Sequence, residues 1–314
     1  MSAAGRPLAV LVGPTAVGKS AVAEAIAQRT GAAVLSADAM LIYRGMDIGT
    51  AKPDRQTRER VDYLGIDLVD PCESFNVWAY REAVAVQLAQ LSADREVIVA
   101  GGSGLYIKAL TMGLDAAGAG AETRARWAAL FAAQGVEGLQ KALRQRDTAA
   151  FDALSDSQNP RRLIRALERL DAGDETTGVD CASREPLMQP VLAGLWMEPT
   201  LLNKRIEQRV EAMYDDGLLE EVGGLLRDPR GLSPTARQAI GYAEAIDVVE
   251  GRGSREEAMA RTAVRTRRLA KRQRTWFRHQ ARVEWVDVRA DDSVEMLANR
   301  VREVWRTHGS ARMS

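Results

Sequence analysis

Apolar residues in this chain come in short unbroken blocks set between glycine turns and longer stretches of helical spacing. LAVLV (8–12), AAVLS (32–36) and EVIVA (96–100) are such blocks. A strand covered on both faces of a parallel sheet has this pattern rather than alternation. The first block leads through glycines into the helix-like AVAEAIAQR (21–29), and the third into a helix opening near Leu105. Strand, turn and helix in alternation predict a doubly wound α/β layer. Between residues 115 and 185 the pattern changes. TRARWAALFAAQGVEGLQKALRQRD and NPRRLIRALERLDAG have helical spacing broken by Gly and Asp, and no strand pattern intervenes. VLAGLWME (191–198) reads as a return to the sheet, three further helical stretches follow, and RVEWVDV (282–288) reads as a final edge strand. The expected organisation is therefore a core of residues 1–114 and 186–314 interrupted by a helical insertion, 115–185, with DAAGAGAE (115–122) as the hinge.

Composition narrows this little. At 314 residues the chain suits two structural units. With 46% hydrophobic and 27% charged residues it is an ordinary globular chain. Its formal charge is zero, so an anionic partner must be met by a local basic patch. Two cysteines, Cys72 and Cys181, make no disulfide framework and fit a reducing compartment. His279 and His308 are the only histidines, which argues against a histidine-rich metal centre. No run approaches the length of a membrane span, and MSAAGRP carries no secretory stretch. The cytoplasm is the expected compartment, and a monomer the default.

GPTAVGKS (13–20) matches the Walker A pattern and stands in its required context, between a buried strand and a helix. It predicts a P-loop NTPase-like sheet. Gly13, Pro14, Thr15, Ala16, Val17, Gly18, Lys19 and Ser20 would form a phosphate site, with loop amides and a helix N-terminus facing the anion. Lys19 would add charge, and the Ser20 hydroxyl is placed to ligate Mg2+. A second turn, GGSG (101–104), follows the third block and brings Ser103 to the same sheet end; it reads equally as a ligand contact or a tight turn with a helix cap.

Asp38 follows the second block, in SADAMLIYRGMDIGTAKP (36–53). It could hold magnesium through water, act as a general base, or cap a turn. VIVAGG lacks the adjacent acidic residues of a motor ATPase, which tilts the reading toward group transfer.

GPTAVGKS, SADAMLIYRGMDIGTAKP, VIVAGGSGLYIKALTMGL, NPRRLIRALE, RIEQRVEAMYDDGLLEEV, ARQAIGYAEA and TRRLAKRQRTWFR occur in the order seen in tRNA dimethylallyltransferases. The resemblance spans roughly residues 8 to 280 and is most specific through YRGMDIGTAKP. It implies transfer of a dimethylallyl group from dimethylallyl diphosphate to the exocyclic amine of the adenosine 3′ of a tRNA anticodon. By that resemblance Asp38 is the catalytic aspartate, Thr15 and Ser103 touch the reacting groups, and Arg209 binds diphosphate; without it, Arg209 reads as a solvated helix residue. Asp38, Ala39, Met40, Leu41 and Ser103, with Arg124, Arg161, Arg162 and Arg165, match positions that meet the tRNA anticodon stem-loop. The sequence departs from the family at Ala39, where Ser is usual, at Leu41, where Gln is common, at Ser103, where Thr is usual, and at Tyr63, where His is frequent.

A base inside an anticodon loop must turn out to reach such a pocket. The segment 254–282 has ten Arg or Lys against two Glu, which favours RNA contact over a merely solvated face. Trp276 and Phe277 within it read as packing residues. Three rivals stay open on the residues alone: a small-molecule kinase, a prenyltransferase acting on free adenine nucleotides, and a P-loop RNA-binding protein without chemistry.

Overall fold

The strands are β1 (Leu8–Val12), β2 (Ala33–Ser36), β3 (Tyr63–Leu64), β4 (Val97–Gly101), β5 (Val191–Met197) and β6 (Glu284–Val288). All pair in parallel in the order β3-β2-β4-β1-β5-β6. A computed structural model describes residues 8–111, 113, 120–173 and 191–308. Val10 on β1 lies between Val99 on β4 and Leu192 on β5, which is why the first apolar blocks are continuous. At the edge, β6 alternates instead: Val286 and Val288 are buried and Asp287 is exposed.

The chain divides into two compact units, Met1–Met112 with Pro186–Ser314, and Gly113–Glu185. The first contains the sheet and helices α1 (Lys19–Thr30), α2 (Arg55–Arg60), α3 (Val77–Gln90) and α4 (Gly104–Thr111). The second contains α5 (Ala121–Arg146), α6 (Thr148–Asp152) and α7 (Pro160–Asp171). Returning to the first unit, the chain forms α8 (Pro199–Asp215), α9 (Leu218–Leu226), α10 (Pro234–Arg237), α11 (Tyr242–Val249), α12 (Arg255–Gln280) and α13 (Val294–His308). Most of the expected hinge, and Cys181, lie outside the described residues.

The helical unit has its own core of Trp127, Leu139, Leu143, Phe151, Leu163 and Leu167. Gly135 leaves helical geometry, with φ 65° and ψ −160°, and so breaks α5 where its sequence carries a glycine. Among the helices of the larger unit that escaped the pattern reading are α2, α3 and α13. In α3 Asn76 caps the start, accepting from the amides of Trp78 and Ala79, and Tyr80, Val84 and Leu88 are buried. In α13 Leu297, Val301 and Trp305 recur every four residues on the buried face. Trp305 Nε1 donates to the carbonyl of Val10 at 3.3 Å, so α13 closes over β1. No helix of the described residues is long and apolar enough to cross a membrane.

Candidate active site

The phosphate loop leaves β1 at Gly13, whose φ of 146° suits glycine. A β-carbon there would stand 2.7 Å from the Leu195 carbonyl on the neighbouring strand. Gly18, at φ 105°, turns the chain into α1 without a capping side chain, which leaves the first amides of the helix unclaimed. Ala16 is held at φ 65°. Lys19 folds back to donate from Nζ to the Pro14 carbonyl at 2.7 Å. In front of this loop lies a cavity of about 410 Å³, with Thr15, Lys19, Ser20, Asp38, Arg205 and Arg209 in its wall.

Asp38 comes from the end of β2, and its Oδ1 accepts the Met40 amide at 2.9 Å, an Asx-type turn that fixes the carboxylate. Oδ2 has no protein partner among the described residues. The Ala39 amide donates to Ser103 Oγ at 3.3 Å, tying the loop after β2 to the turn after β4. The dense run that follows is a clasp. Lys52 is buried and donates to the Tyr43 carbonyl at 2.6 Å and Asp67 at 2.7 Å, with Asp47 at 2.6 Å. Glu221 on α9 accepts the amides of Asp47 and Ile48 at 3.1 and 2.9 Å and the Tyr242 hydroxyl at 2.6 Å. Gly49 is obligatory because a β-carbon would meet the Tyr242 ring at 2.4 Å. The clasp delivers Thr50 to the cavity wall, where its carbonyl accepts from Arg209 at 3.3 Å.

Charge is concentrated here. Burial lowers the Lys19 ammonium to about 8, Asp38 opposes that shift, and Arg209 adds to it. Lys19 as a residue is half-buried; its ammonium is the deep end. Burial also lowers Arg209, again opposed by Asp38. Two cations and one carboxylate thus feel each other across one cavity. Beyond Thr15, Asp38, Thr50 and Arg209, which belong to both, a mainly apolar chamber of about 110 Å³ continues among Met40, Ile206, Val210, Met213, Ile240 and Leu269, with Thr262 and Thr266 also in its wall. One end of the site is cationic and polar, the other apolar.

The structure brings Thr15, Ala16, Gly18, Lys19, Ser20, Asp38, Leu41 and Arg209 into the first cavity and Met40 into the second. Gly13, Pro14 and Val17 support the loop from behind, with Val17 fully buried. Ala39 and Ser103 stand one hydrogen bond back. The GGSG turn owes its glycines to packing. Added β-carbons would lie 2.3 Å from the Ala37 carbonyl at Gly101, 2.4 Å from Gln273 Nε2 at Gly102, and 2.2 Å from the Trp276 ring at Gly104. Sequence reasoning missed Arg205, Gln273 and Thr50. The only signal for Arg205 is its place one helical turn before Arg209. Its guanidinium lies 3.8 Å from where a Gly18 β-carbon would be, and it has no ion pair or hydrogen bond among the described residues.

The model of the family described as IPP transferase matches residues 41–280. The chain belongs to the IPP transferase family. It is 40% identical over 300 residues to a tRNA dimethylallyltransferase of Corynebacterium efficiens, covering 93% of this chain and 97% of that protein. It is likewise 40% identical over 295 residues to one of Bacillus licheniformis, covering 92% and 93%. The crystal structure of the full-length tRNA isopentenylpyrophosphate transferase of Bacillus halodurans superposes with a TM-score of 0.66 at 34% identity, over 96% of this chain and 99% of that one.

Within this IPP transferase the departure at Tyr63 has a local account: the hydroxyl, on edge strand β3, donates to Glu24 of α1. Ala39 still serves the loop, because its backbone amide makes the bond to Ser103.

The arginines of the helical unit fall into two kinds. Arg124 donates to Glu168 at 2.8 Å, and Arg165 lies 3.7 Å from the same carboxylate, which is 1% exposed. Arg161 and Arg162 are exposed, and Arg162 also reaches Ser155 Oγ. In α12 the N-terminal half is internally paired: Arg255 with Asp215, Arg261 with Asp247, Arg265 with Glu244 and Arg267 with Glu207. Toward its C-terminus Arg268, Lys271, Arg272 and Arg278 are exposed and without acidic partners among the described residues. Spaced three, four and seven apart, they form one stripe. Phe277 packs in the core with Trp276 edge-on at 4.9 Å.

Proposed function

We propose that this protein transfers a dimethylallyl group from dimethylallyl diphosphate to the exocyclic amine of the adenosine 3′ of a tRNA anticodon, releasing pyrophosphate. The observation that carries this reading is the single cavity in which Asp38 faces Lys19 and Arg209 and which opens onto an apolar chamber. The diphosphate sits on the loop amides, with Lys19, Arg209 and Arg205 around it. The short branched hydrocarbon enters the mainly apolar chamber, where removing its carbons from water is favourable. The allylic carbon then lies between diphosphate and carboxylate.

The bond from that carbon to the diphosphate oxygen breaks, and its electron pair leaves with pyrophosphate, where the cations stabilise the growing charge. The adenine amine supplies the pair for the new carbon–nitrogen bond. Asp38 accepts the proton the amine loses; with Oδ1 held by Met40, Oδ2 is the free acceptor. Thr15, shared by both chambers, stands beside the reacting centre. Ser103 acts through the backbone of Ala39 to place Asp38.

Among the described residues no cluster of three His, Cys, Asp or Glu side chains could cage a metal. Mg2+ suits this site nonetheless, because it keeps several waters and shares phosphate oxygens with one or two protein groups. Ser20 would hold it, and bound Mg2+ would neutralise diphosphate charge.

In the helical unit Arg161 and Arg162 meet phosphates of the anticodon stem-loop, and the part-exposed guanidiniums of Arg124 and Arg165 add donors while keeping Glu168. In the larger unit the stripe from Arg268 to Arg278 is a basic surface of its own for tRNA. We infer that it acts as a monomer where tRNA resides, in the cytoplasm. The test offers radiolabelled dimethylallyl diphosphate with unmodified tRNA, with AMP, and ATP with a small acceptor in parallel. Label is expected on tRNA alone. Asp38→Asn is expected to bind both substrates while turnover falls about 10²–10⁴-fold. A near-normal single-turnover rate in that variant removes the proton-acceptor role.

A further inference from the structure

We propose that Gln273 sets the length of phosphate chain the loop accepts, fitting it to a diphosphate and closing it to a triphosphate. This rests on the reading of the cavity as a diphosphate site. A GxxxxGKS loop by itself is suited to triphosphates, with its lysine reaching the two outer phosphates. The net charge of the wall, with Lys19, Arg205 and Arg209 against Asp38, would favour the more highly charged ligand. A preference for the shorter chain therefore needs a cause, and Gln273 supplies one.

The outer end of the loop is marked by Lys19, whose ammonium rests on the Pro14 carbonyl. Pro14 has no N–H, so the first amide at that end belongs to Thr15. That amide is taken: it donates to Gln273 Oε1 at 2.8 Å. Gln273 reaches it from α12, is 8% exposed and forms part of the cavity wall. Its Nε2 stands 2.4 Å from where a Gly102 β-carbon would be, so the carboxamide fills the space that glycine vacates and is held there. A carboxamide oxygen and a phosphate oxygen are both acceptors, and they compete for one N–H and repel each other. Two phosphates can use the amides from Ala16 onward with Lys19, Arg205 and Arg209. A third would have to displace Gln273 Oε1 from Thr15.

The experiment measures binding of inorganic pyrophosphate and inorganic triphosphate, each with Mg2+, to the full-length protein by titration calorimetry. Wild-type protein is expected to prefer pyrophosphate by roughly tenfold or more. Gln273→Ala, which frees the amide and opens space, is expected to bring the ratio to about one or reverse it through tighter triphosphate binding. Gln273→Met, which frees the amide but fills the space, is expected to fall between. The ratio within one variant is insensitive to partial loss of folded protein. Equal ratios in wild type and both variants, or loss of both ligands in both variants, would make Gln273 a packing residue and overturn the inference while the diphosphate reading stands. Wild-type protein that binds neither ligand overturns the diphosphate reading and this inference with it.

Discussion

Lys52 Nζ lies 2.7 Å from Asp67 Oδ1, with none of the lysine side chain exposed to solvent. The same ammonium holds the Tyr43 carbonyl and lies 2.6 Å from Asp47, so two points of the loop after β2 and one residue past β3 converge on one charge. A buried ammonium is tolerable only with such a set of acceptors. Lys52→Met keeps the volume and removes the charge. Asp67 retains Arg58 at 2.6 Å and partial exposure, so the loss is expected at the lower end for a broken buried pair, about 3 kcal/mol. Chemical denaturation checks this. Because Thr50 reaches the cavity through that loop, KM for dimethylallyl diphosphate is expected to rise as well. Unchanged stability would mean that the clasp is held by Glu221 alone.

Lys19 predicts a pH dependence with opposite signs for stability and binding. Its ammonium sits near 8 in the folded chain against an ordinary 10.5, burial being the main cause. Below pH 8 both folded and unfolded chains hold the proton, and the folded chain bears the cost of a buried charge. Between pH 8 and 10.5 the unfolded chain binds the proton and the folded chain does not, so stability rises with pH. Lys19→Met is therefore expected to be more stable than wild type at neutral pH, by up to about 3 kcal/mol, with the gap closing as pH passes 10.5. Pyrophosphate affinity should move the other way, falling above pH 8 in wild type and being weak throughout in the variant. Thermal unfolding and calorimetry of the two proteins across pH 7 to about 10.5 measure both. A variant with wild-type pyrophosphate affinity would remove Lys19 from the site.

What the sequence displayed of this arrangement was what local spacing can carry. GPTAVGKS fixes the positions of Lys19 and Ser20 by chain geometry alone, and Asp38 inherits its place from the end of a buried strand beside that loop. The parallel core strands were legible because both of their faces are covered. Strand β3 was not, since two residues are too short to show a period. Arg205 and Gln273 were missed for another reason. Thr15 and Gln273 are 258 positions apart, and nothing in KRQRTWFR distinguishes a glutamine that plugs a loop from one on a solvated face. Only the docking of α12 against Gly102 and Gly104 separates them. The four-residue spacing of Leu297, Val301 and Trp305 past the edge strand does carry the signal for α13.

Gly104 offers a clean test of that docking. Its backbone does not require glycine by φ, yet an added β-carbon would overlap the Trp276 ring at 2.2 Å. Gly104→Ala must push α12 outward or tilt the indole, at a cost of roughly 1–3 kcal/mol. Because Gln273 is one turn before Trp276 on the same helix, the Thr15 contact should loosen with it. Hydrogen exchange at the Thr15 amide is expected to quicken in this variant beyond the change in global stability. Exchange that tracks only global unfolding would show that the glutamine contact survives the shift.

The two kinds of arginine in the helical unit should respond differently to truncation. Arg162 is exposed, and among the described residues its guanidinium meets a serine hydroxyl and no carboxylate. Arg162→Ala should leave stability within about 0.5 kcal/mol, weaken tRNA binding, and lower the slope of log affinity against log salt by about 0.7 to 1. Pyrophosphate binding should be unchanged. Arg124 instead neutralises Glu168, a carboxylate with 1% exposure, and its removal leaves, among the described residues, Arg165 at 3.7 Å to do so. Arg124→Ala is expected to cost the helical unit about 1–3 kcal/mol, and Arg124→Ala with Glu168→Gln to recover most of it. Any tRNA defect that persists in the double variant is then a lost phosphate contact, whereas one that disappears was a consequence of the unpaired buried charge. Filter binding over a salt series on the three proteins separates the cases, and an unaltered salt slope in Arg162→Ala would take that residue out of the RNA-binding surface.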